Sequence, residues 1–383
     1  MAVSYSFPTN IRFGAGVTNE VPDYLKSLRL IRPLVVTDAT VSRLPFFEKF
    51  ISLLTTEGLT VYVFDDIHKN PVKSDVMKGR DAYEYEECDC IIGIGGGAAM
   101  DVARAIALSI HHREDLFYYD DLEGGTKYII NDIPHFVTIP TTSGTGSEVG
   151  RSAIISEDDS KRKRILFHPT LLAKQVFADP ELTYELPPEI TAATGMDALT
   201  HHVEAFLAKG FHPMADGIAL EGIRLIFQSL EKAVYKPDPE SRTNMMIASL
   251  MGAVAFQKGL GLVHSLAHPL STLLDMHHGL ANAIMLPIGL QFNLQGFEDR
   301  YERMAATIGF VNPSAEEFIS AVIALNRKLR IPELGNLGVE PKHIEALSAL
   351  AIKDFCLPSN PKPISQEEIK QLYLKSISTT IIH

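Results

Sequence analysis

The stretch GMDALTHHVEAF, residues 195–206, sets a carboxylate and an imidazole four positions apart. At about 100° per residue, Asp197, His201 and Glu204 share one helical stripe, and Leu199, Val203 and Phe206 lie opposite. Such a pair is either the wet face of a surface helix or half of a site for a divalent ion. A second cluster, GLGLVHSLAHPLSTLLDMHHGLANAIMLP at 259–287, puts His264 and His268 on one stripe against Leu262, Leu266 and Leu273. His277 and His278 follow, just before Gly279. Four of the chain's 14 histidines therefore crowd into a short segment. Imidazoles from two amphipathic helices and a turn, together with a carboxylate, are the donors a borderline divalent cation takes. Histidines satisfied within a core are the competing reading, and the residues alone leave the two level.

Other residues point to a dinucleotide. GIGGGAAMD (93–101) leaves an apolar run and enters a helical one, so its glycines bring backbone amides to a helix N-terminus where a pyrophosphate binds. Gly93, Gly95 and Ala98 satisfy G-x-G-x-x-A, a weak signal by itself, and no acidic residue ends a strand about 20 positions downstream. Asp38 stands upstream instead. Its carboxylate either binds the adenosine ribose hydroxyls, favouring NAD over NADP, or caps a turn. TTSGTGSE (141–148) gathers hydroxyls and glycines directly after another apolar run, where open α/β sheets bind ligands.

The elements that must hold these residues follow from composition and pattern. The chain has 383 residues, 46% hydrophobic and 21% charged, enough for two domains and a large core. A net charge of -12 excludes tracking of nucleic-acid phosphates, and the basic run SKRKR (160–164) reads as a solvated loop. No basic, apolar leader opens MAVSYSFPTN, and no uncharged run reaches a membrane span of about 20 residues, so a cytoplasmic protein is expected. Cys88, Cys90 and Cys356 form no disulfide framework and read as reduced thiols without catalytic work.

RPLVVTD (32–38), LTVYVFD (59–65), CIIGIGGG (90–97) and HFVTIP (135–140) are continuous apolar strands, as in a parallel sheet covered on both faces. DPELTYELPPEI (179–190) is rich in proline and acid, and beyond it helical periodicity dominates, at 215–234, 243–257 and 315–330. The expectation is an α/β Rossmann-like parallel-sheet domain over 1–182 and an all-α domain over 183–383.

The ordered motifs resemble the iron-containing, group III alcohol dehydrogenases, among them lactaldehyde reductase and 1,3-propanediol dehydrogenase. They are FPTNIRFGAG (7–16), the glycine loop, IPTTSGTGSEV, ADPELT, GMDALTHHVEAF, GLVHSLAHPL, HHGLANAIMLP and SNPKP, spread over nearly the whole chain. The resemblance implies the dehydroquinate synthase-like architecture, a homodimer or larger assembly, and a site between the two domains. It also implies interconversion of a small primary alcohol or diol with its aldehyde, using NAD and Fe(II), or Zn(II) as a stand-in.

By the family's pattern the metal ligands are Asp197, His201, His264 and His278, the last because the ligand directly precedes a glycine. His268 would take part in proton transfer. Asp38, Asn70, Gly96, Gly97, Ala98, Thr141, Thr142, Thr145, Lys163, Ala178, Asp179, Pro180, Glu181 and Leu182 would line the cofactor cleft. Two departures, Ala98-Ala99 in place of Ser-Pro and Arg104 in place of a lysine, are expected to alter cofactor affinity at most. Arg151 and Ser152 leave a 4-hydroxy acid as the alternative substrate. The rivals are a metal-dependent lyase of the dehydroquinate-synthase kind and a catalytically silent binding protein.

Overall fold

The computed structural model describes residue 7 and residues 9–378. Residues 1–6, Pro8 and residues 379–383 lie outside the described residues, and with them most of the N-terminal stretch read as lacking a secretory leader. The chain divides into two compact units, Phe7–Thr142 with Gly146–Glu185, and Ser143–Thr145 with the residues from Leu186 on.

The first unit contains strands β1 (Asn10–Phe13), β2 (Pro33–Val36), β3 (Tyr62–Phe64), β4 (Cys90–Gly95), β5 (His135–Pro140), β6 (Ser152–Ser156), β7 (Lys163–Phe167) and β8 (Gln175–Ala178). Its helices are α1 (Val21–Ser27), α2 (Pro45–Thr56), α3 (Lys73–Tyr85) and α4 (Gly97–His111). Six strands form a parallel sheet in the order β1-β8-β5-β4-β2-β3. β2, β4 and β8 are buried at every position, which is why their sequences run apolar without alternation.

The chain leads from β2 outward to β3 and then crosses to β4 on the other side of β2, so the winding reverses between β2 and β4. Open sheets bind ligands outside the carboxyl ends of their strands at such a reversal. Asp38 follows β2 there, and the glycines follow β4. Gly95 adopts φ 149°, and a Cβ on it would stand 2.8 Å from the Ala99 Cβ, so the tight exit from β4 into α4 requires glycine.

β6 and β7 form an antiparallel ribbon. The basic run at 160–164 is accordingly not a solvated loop throughout. Lys163 and Arg164 open β7, and the largely buried Arg164 pairs with Asp120 and, at 2.8 Å, with Glu157. The departure at Arg104 has a structural use as well. This fully buried side chain on α4 donates to the Leu171 carbonyl at 2.9 Å, to Asp101 at 3.2 Å, to the Ser147 carbonyl at 2.5 Å and to the Ser152 carbonyl. It thereby ties the helix behind the glycine loop to the ribbon.

Glu148 is buried in the same interior, and its Oε1 has no hydrogen-bond partner among the described residues. Burial raises its carboxyl to about 7, against the nearby charge of Arg104. The folded state therefore holds this proton more tightly than the unfolded chain does. The resulting stability is fully present below the ordinary value of 4.5 and is lost as pH rises through about 7. Glu148→Gln keeps the shape without the charge. Its melting curve should gain on the wild type between about pH 5 and pH 8, by up to about 3 kcal/mol. A difference that stays flat over that range contradicts this reading.

The second unit is helical: α5 (Pro188–Leu207), α6 (Pro213–Tyr235), α7 (Pro239–Ala255), α8 (Leu262–Leu274), α9 (His278–Asn293), α10 (Glu298–Thr307), α11 (Ala315–Lys328), α12 (Ile344–Ala351) and α13 (Gln366–Ser378). α5 packs against α6, α7 and α9, and α8 against α9 and α12. From Thr191 to Leu207 every residue of α5 is buried, which rules out the surface-helix alternative for its polar stripe. Asp197 and His201 face the protein interior. Among the described residues no single helix is long and apolar enough to cross a membrane.

Candidate metal centre

Three helices bring four donors together. α5 supplies Asp197 and His201, α8 supplies His264, and α9 begins at His278. One ligand atom from each of the four lies within 4.8 Å of all the others. Asp197 Oδ1 is 3.5 Å from His278 Nε2, 3.9 Å from His201 Nε2 and 4.0 Å from His264 Nε2. Asp197, His201 and His264 are buried, and His278 is the most accessible of the set.

The adjacent histidines separate cleanly from this group. His277 is the N-cap of α9, its Nδ1 accepting the Leu280 amide at 3.4 Å, and His202 Nε2 donates to the Ala248 carbonyl at 2.8 Å.

The protonation states suit a cation. Burial opposes the charge on Asp197, but the three imidazoles and a hydrogen bond from Asn282 outweigh it and hold the carboxyl at about 2. Burial lowers His201 to about 4 despite the neighbouring Asp197, so its imidazole is neutral at pH 7, the form that ligates. Burial also works against a charged His264, yet Glu204 turns the net shift upward. Three imidazole nitrogens and one carboxylate oxygen fit a borderline divalent ion such as Fe(II) or Zn(II).

Glu204 is a member of this site whose role the sequence reading left unassigned. Its Oε2 accepts His264 Nδ1–H at 2.5 Å, and its Oε1 accepts the Val263 amide at 2.6 Å. With the Asn360 side chain on the Leu262 amide at 3.0 Å, it caps α8, where a negative charge is favourable. Fixing the proton on Nδ1 leaves His264 Nε2 as the ligating atom. Glu204→Gln replaces one acceptor oxygen by an NH2 that cannot accept. Metal affinity should fall by about 10–100-fold in a competitive chelator titration. Wild-type affinity in this variant would remove Glu204 from the centre.

His268 stands beside the cluster, its ring stacked on His278 at 5.3 Å and on Phe355 at 5.2 Å. Its Nδ1 pairs with Asp354 Oδ2 at 2.7 Å, a partner that no local spacing reveals because it lies 86 residues away. Cys356 lies next to Asp354; burial and that carboxylate push its thiol well up, so it remains protonated.

The residues expected to line a cofactor cleft fall into groups. Gly96 is the N-cap of α4, with Gly97 and Ala98 in its first turn. Thr141 donates its amide to the Gly95 carbonyl at 3.0 Å, and the Thr142 hydroxyl is 3.6 Å from where a Gly96 Cβ would lie. Asp38 joins them from β2, with Oδ1 accepting the Thr40 and Val41 amides at 2.9 and 3.0 Å, so the turn-capping alternative holds for that oxygen.

Asn70 and Lys163 both lie near one end of the ribbon. The carbonyl of Pro71 accepts the Ser156 amide at 2.8 Å, and Ser156 pairs with Lys163. Ala178 closes β8, and buried Pro180 follows it. Asp179 spends its carboxylate on the Gly16, Thr18 and Glu181 amides and the Thr18 hydroxyl. Glu181 and Leu182 line a cavity of about 330 Å³ together with Thr18 and Lys49. Thr145 belongs to the helical unit instead.

Residues 8–180 match the family model described as iron-containing alcohol dehydrogenase, and residues 191–377 match its C-terminal counterpart. The 4-hydroxybutyrate dehydrogenase of Cupriavidus necator is 38% identical, over 98% of this chain and 100% of that protein. Among solved structures, a 1,3-propanediol oxidoreductase superposes with a TM-score of 0.93 at 32% identity, covering 98% of this chain and 100% of the other. A sulfoacetaldehyde reductase from Bifidobacterium kashiwanohense, in complex with NAD+, gives 0.89 at 27% identity, covering 99% and 100%.

Proposed function

This chain belongs to the iron-containing alcohol dehydrogenase family and is a metal-dependent, NAD-linked oxidoreductase of alcohols; from that premise we propose what its residues do. Asp197, His201, His264 and His278 hold the ion, and the convergence of their four donor atoms carries this reading. When bound, the ion supplies Lewis acidity to a substrate oxygen and the nicotinamide exchanges hydride with the substrate carbon. Asp197 contributes the negative charge of the donor set. His201 contributes a neutral imidazole, and Glu204 keeps the His264 proton on Nδ1. With His268 Nδ1 committed to Asp354, Nε2 is the atom left to give or take the substrate's hydroxyl proton.

The α/β unit carries the dinucleotide on the α4 N-terminus and on Thr141 and Thr142, with Asp38 favouring NAD over NADP. The helical unit carries the metal. The substrate in this reading is a short primary alcohol or diol, interconverted with its aldehyde by a homodimeric or larger cytoplasmic enzyme. The 38% identity to a 4-hydroxybutyrate dehydrogenase keeps a hydroxy acid as the second reading.

The test is nicotinamide absorbance with NAD and with NADP against short alcohols, diols and 4-hydroxybutyrate, with light scattering for the assembly. Preference for a diol or alcohol with NAD supports the proposal. Preference for 4-hydroxybutyrate replaces the substrate assignment, and preference for NADP removes the role given to Asp38.

A further inference from the structure

Asn282 lies on α9 one turn after His278 and is fully buried. Its Nδ2 donates to Asp197 Oδ1 at 2.7 Å and stands 3.2 Å from both His264 Nε2 and His278 Nε2. These are three of the four donor atoms, so the amide sits over the face they form. Its Oδ1 is buried without a hydrogen-bond partner among the described residues. Rotating the amide would bring an oxygen against three acceptors, an arrangement that only a cation between them would stabilise.

We infer that Asn282 is a positioning residue of the metal centre: one N–H orients the Asp197 carboxylate, and the second faces the two imidazole nitrogens that the ion claims. Each Nε2 offers a single in-plane lone pair, so the contacts with His264 and His278 are given up when an ion binds. A carboxylate oxygen has lone pairs for both a cation and a donor, so the bond to Asp197 is kept. A residue serving only helix packing needs no polar atom within reach of three ligands, nor an unpartnered carbonyl in the interior.

The inference rests on the four-residue metal site, and the test separates the two. Metal-stripped, full-length wild type, Asn282→Ala and Asn282→Asp are titrated with Co(II), followed by visible absorbance. Zn(II) affinity is measured against a competing chelator, and melting is followed by circular dichroism. The alanine variant should bind Zn(II) about 10–100-fold more weakly and change the Co(II) band. The near-isosteric aspartate places a second carboxylate beside Asp197. It should bind more tightly than the wild type, with a further oxygen visible in the Co(II) spectrum.

Wild-type affinity and spectrum in both variants overturn the inference. If the alanine variant does not fold, the aspartate decides alone. A wild type that takes up no Co(II) removes the metal site itself, whereas a binding wild type with unaltered variants removes only the role of Asn282.

Discussion

His264→Ala is expected to release the divalent ion and abolish alcohol oxidation together, with kcat/KM falling by about three orders of magnitude or more. The histidine supplies one of four donor atoms that converge within 4.8 Å, and the nearby histidines have other partners. His268 is occupied by Asp354, and His277 caps α9. The substitution also strips Glu204 of its 2.5 Å partner and leaves that carboxylate to the α8 amides. Metal content by mass spectrometry and turnover should therefore fall in parallel, while circular dichroism keeps its helical signature. Retention of both metal and turnover would remove His264 from the site.

Gly279→Ala should also be damaging, although it replaces no ligand. A Cβ at this position would lie 2.4 Å from the Ala193 carbonyl oxygen, 2.9 Å from its carbon and 3.2 Å from Asp197 Cβ. The first two are helix backbone and cannot rotate away, so α9 must lift from α5 directly after His278. Overpacking of this kind costs about 1–3 kcal/mol. A displacement of about 1 Å at a ligand is enough for a loss of about 100-fold in turnover. Calorimetry should show a lower Tm, and chelator competition a weaker site. A wild-type Tm with wild-type affinity would mean that the helices do not approach this closely.

The glycine after His278 was legible in the sequence only as part of a family pattern; its physical reason is the carbonyl of Ala193. The same division runs through the rest of the chain. Continuous apolar runs announced β2, β4 and β5 because a parallel sheet buried on both faces leaves no room for alternation. The β6–β7 ribbon is not legible in the sequence because its second strand opens with Lys163 and Arg164, whose partners, Ser156 across the ribbon and Asp120 and Glu157, are set by the fold.

Periodicity gave α5 a polar stripe but not its direction, since a stripe facing a cation and one facing water have the same spacing. Glu204 and Asn282 lie at helical intervals from His201 and His278 and were within reach of that spacing argument. Asp354 was not, because it reaches His268 from a distant segment. Asp38 and Asp179 show a further limit, for a carboxylate after a strand reads equally as a turn cap or a ligand group.

The central claim is that one ion, held by Asp197, His201, His264 and His278, makes this chain an alcohol dehydrogenase. The most direct measurement follows bound metal and NAD-linked alcohol oxidation in the same purified sample through chelation and stepwise return of Fe(II) or Zn(II). Turnover rising in proportion to occupancy and levelling at one ion per chain is the predicted result. Turnover that survives removal of the ion, or its absence at full occupancy with every alcohol tried, would contradict the claim.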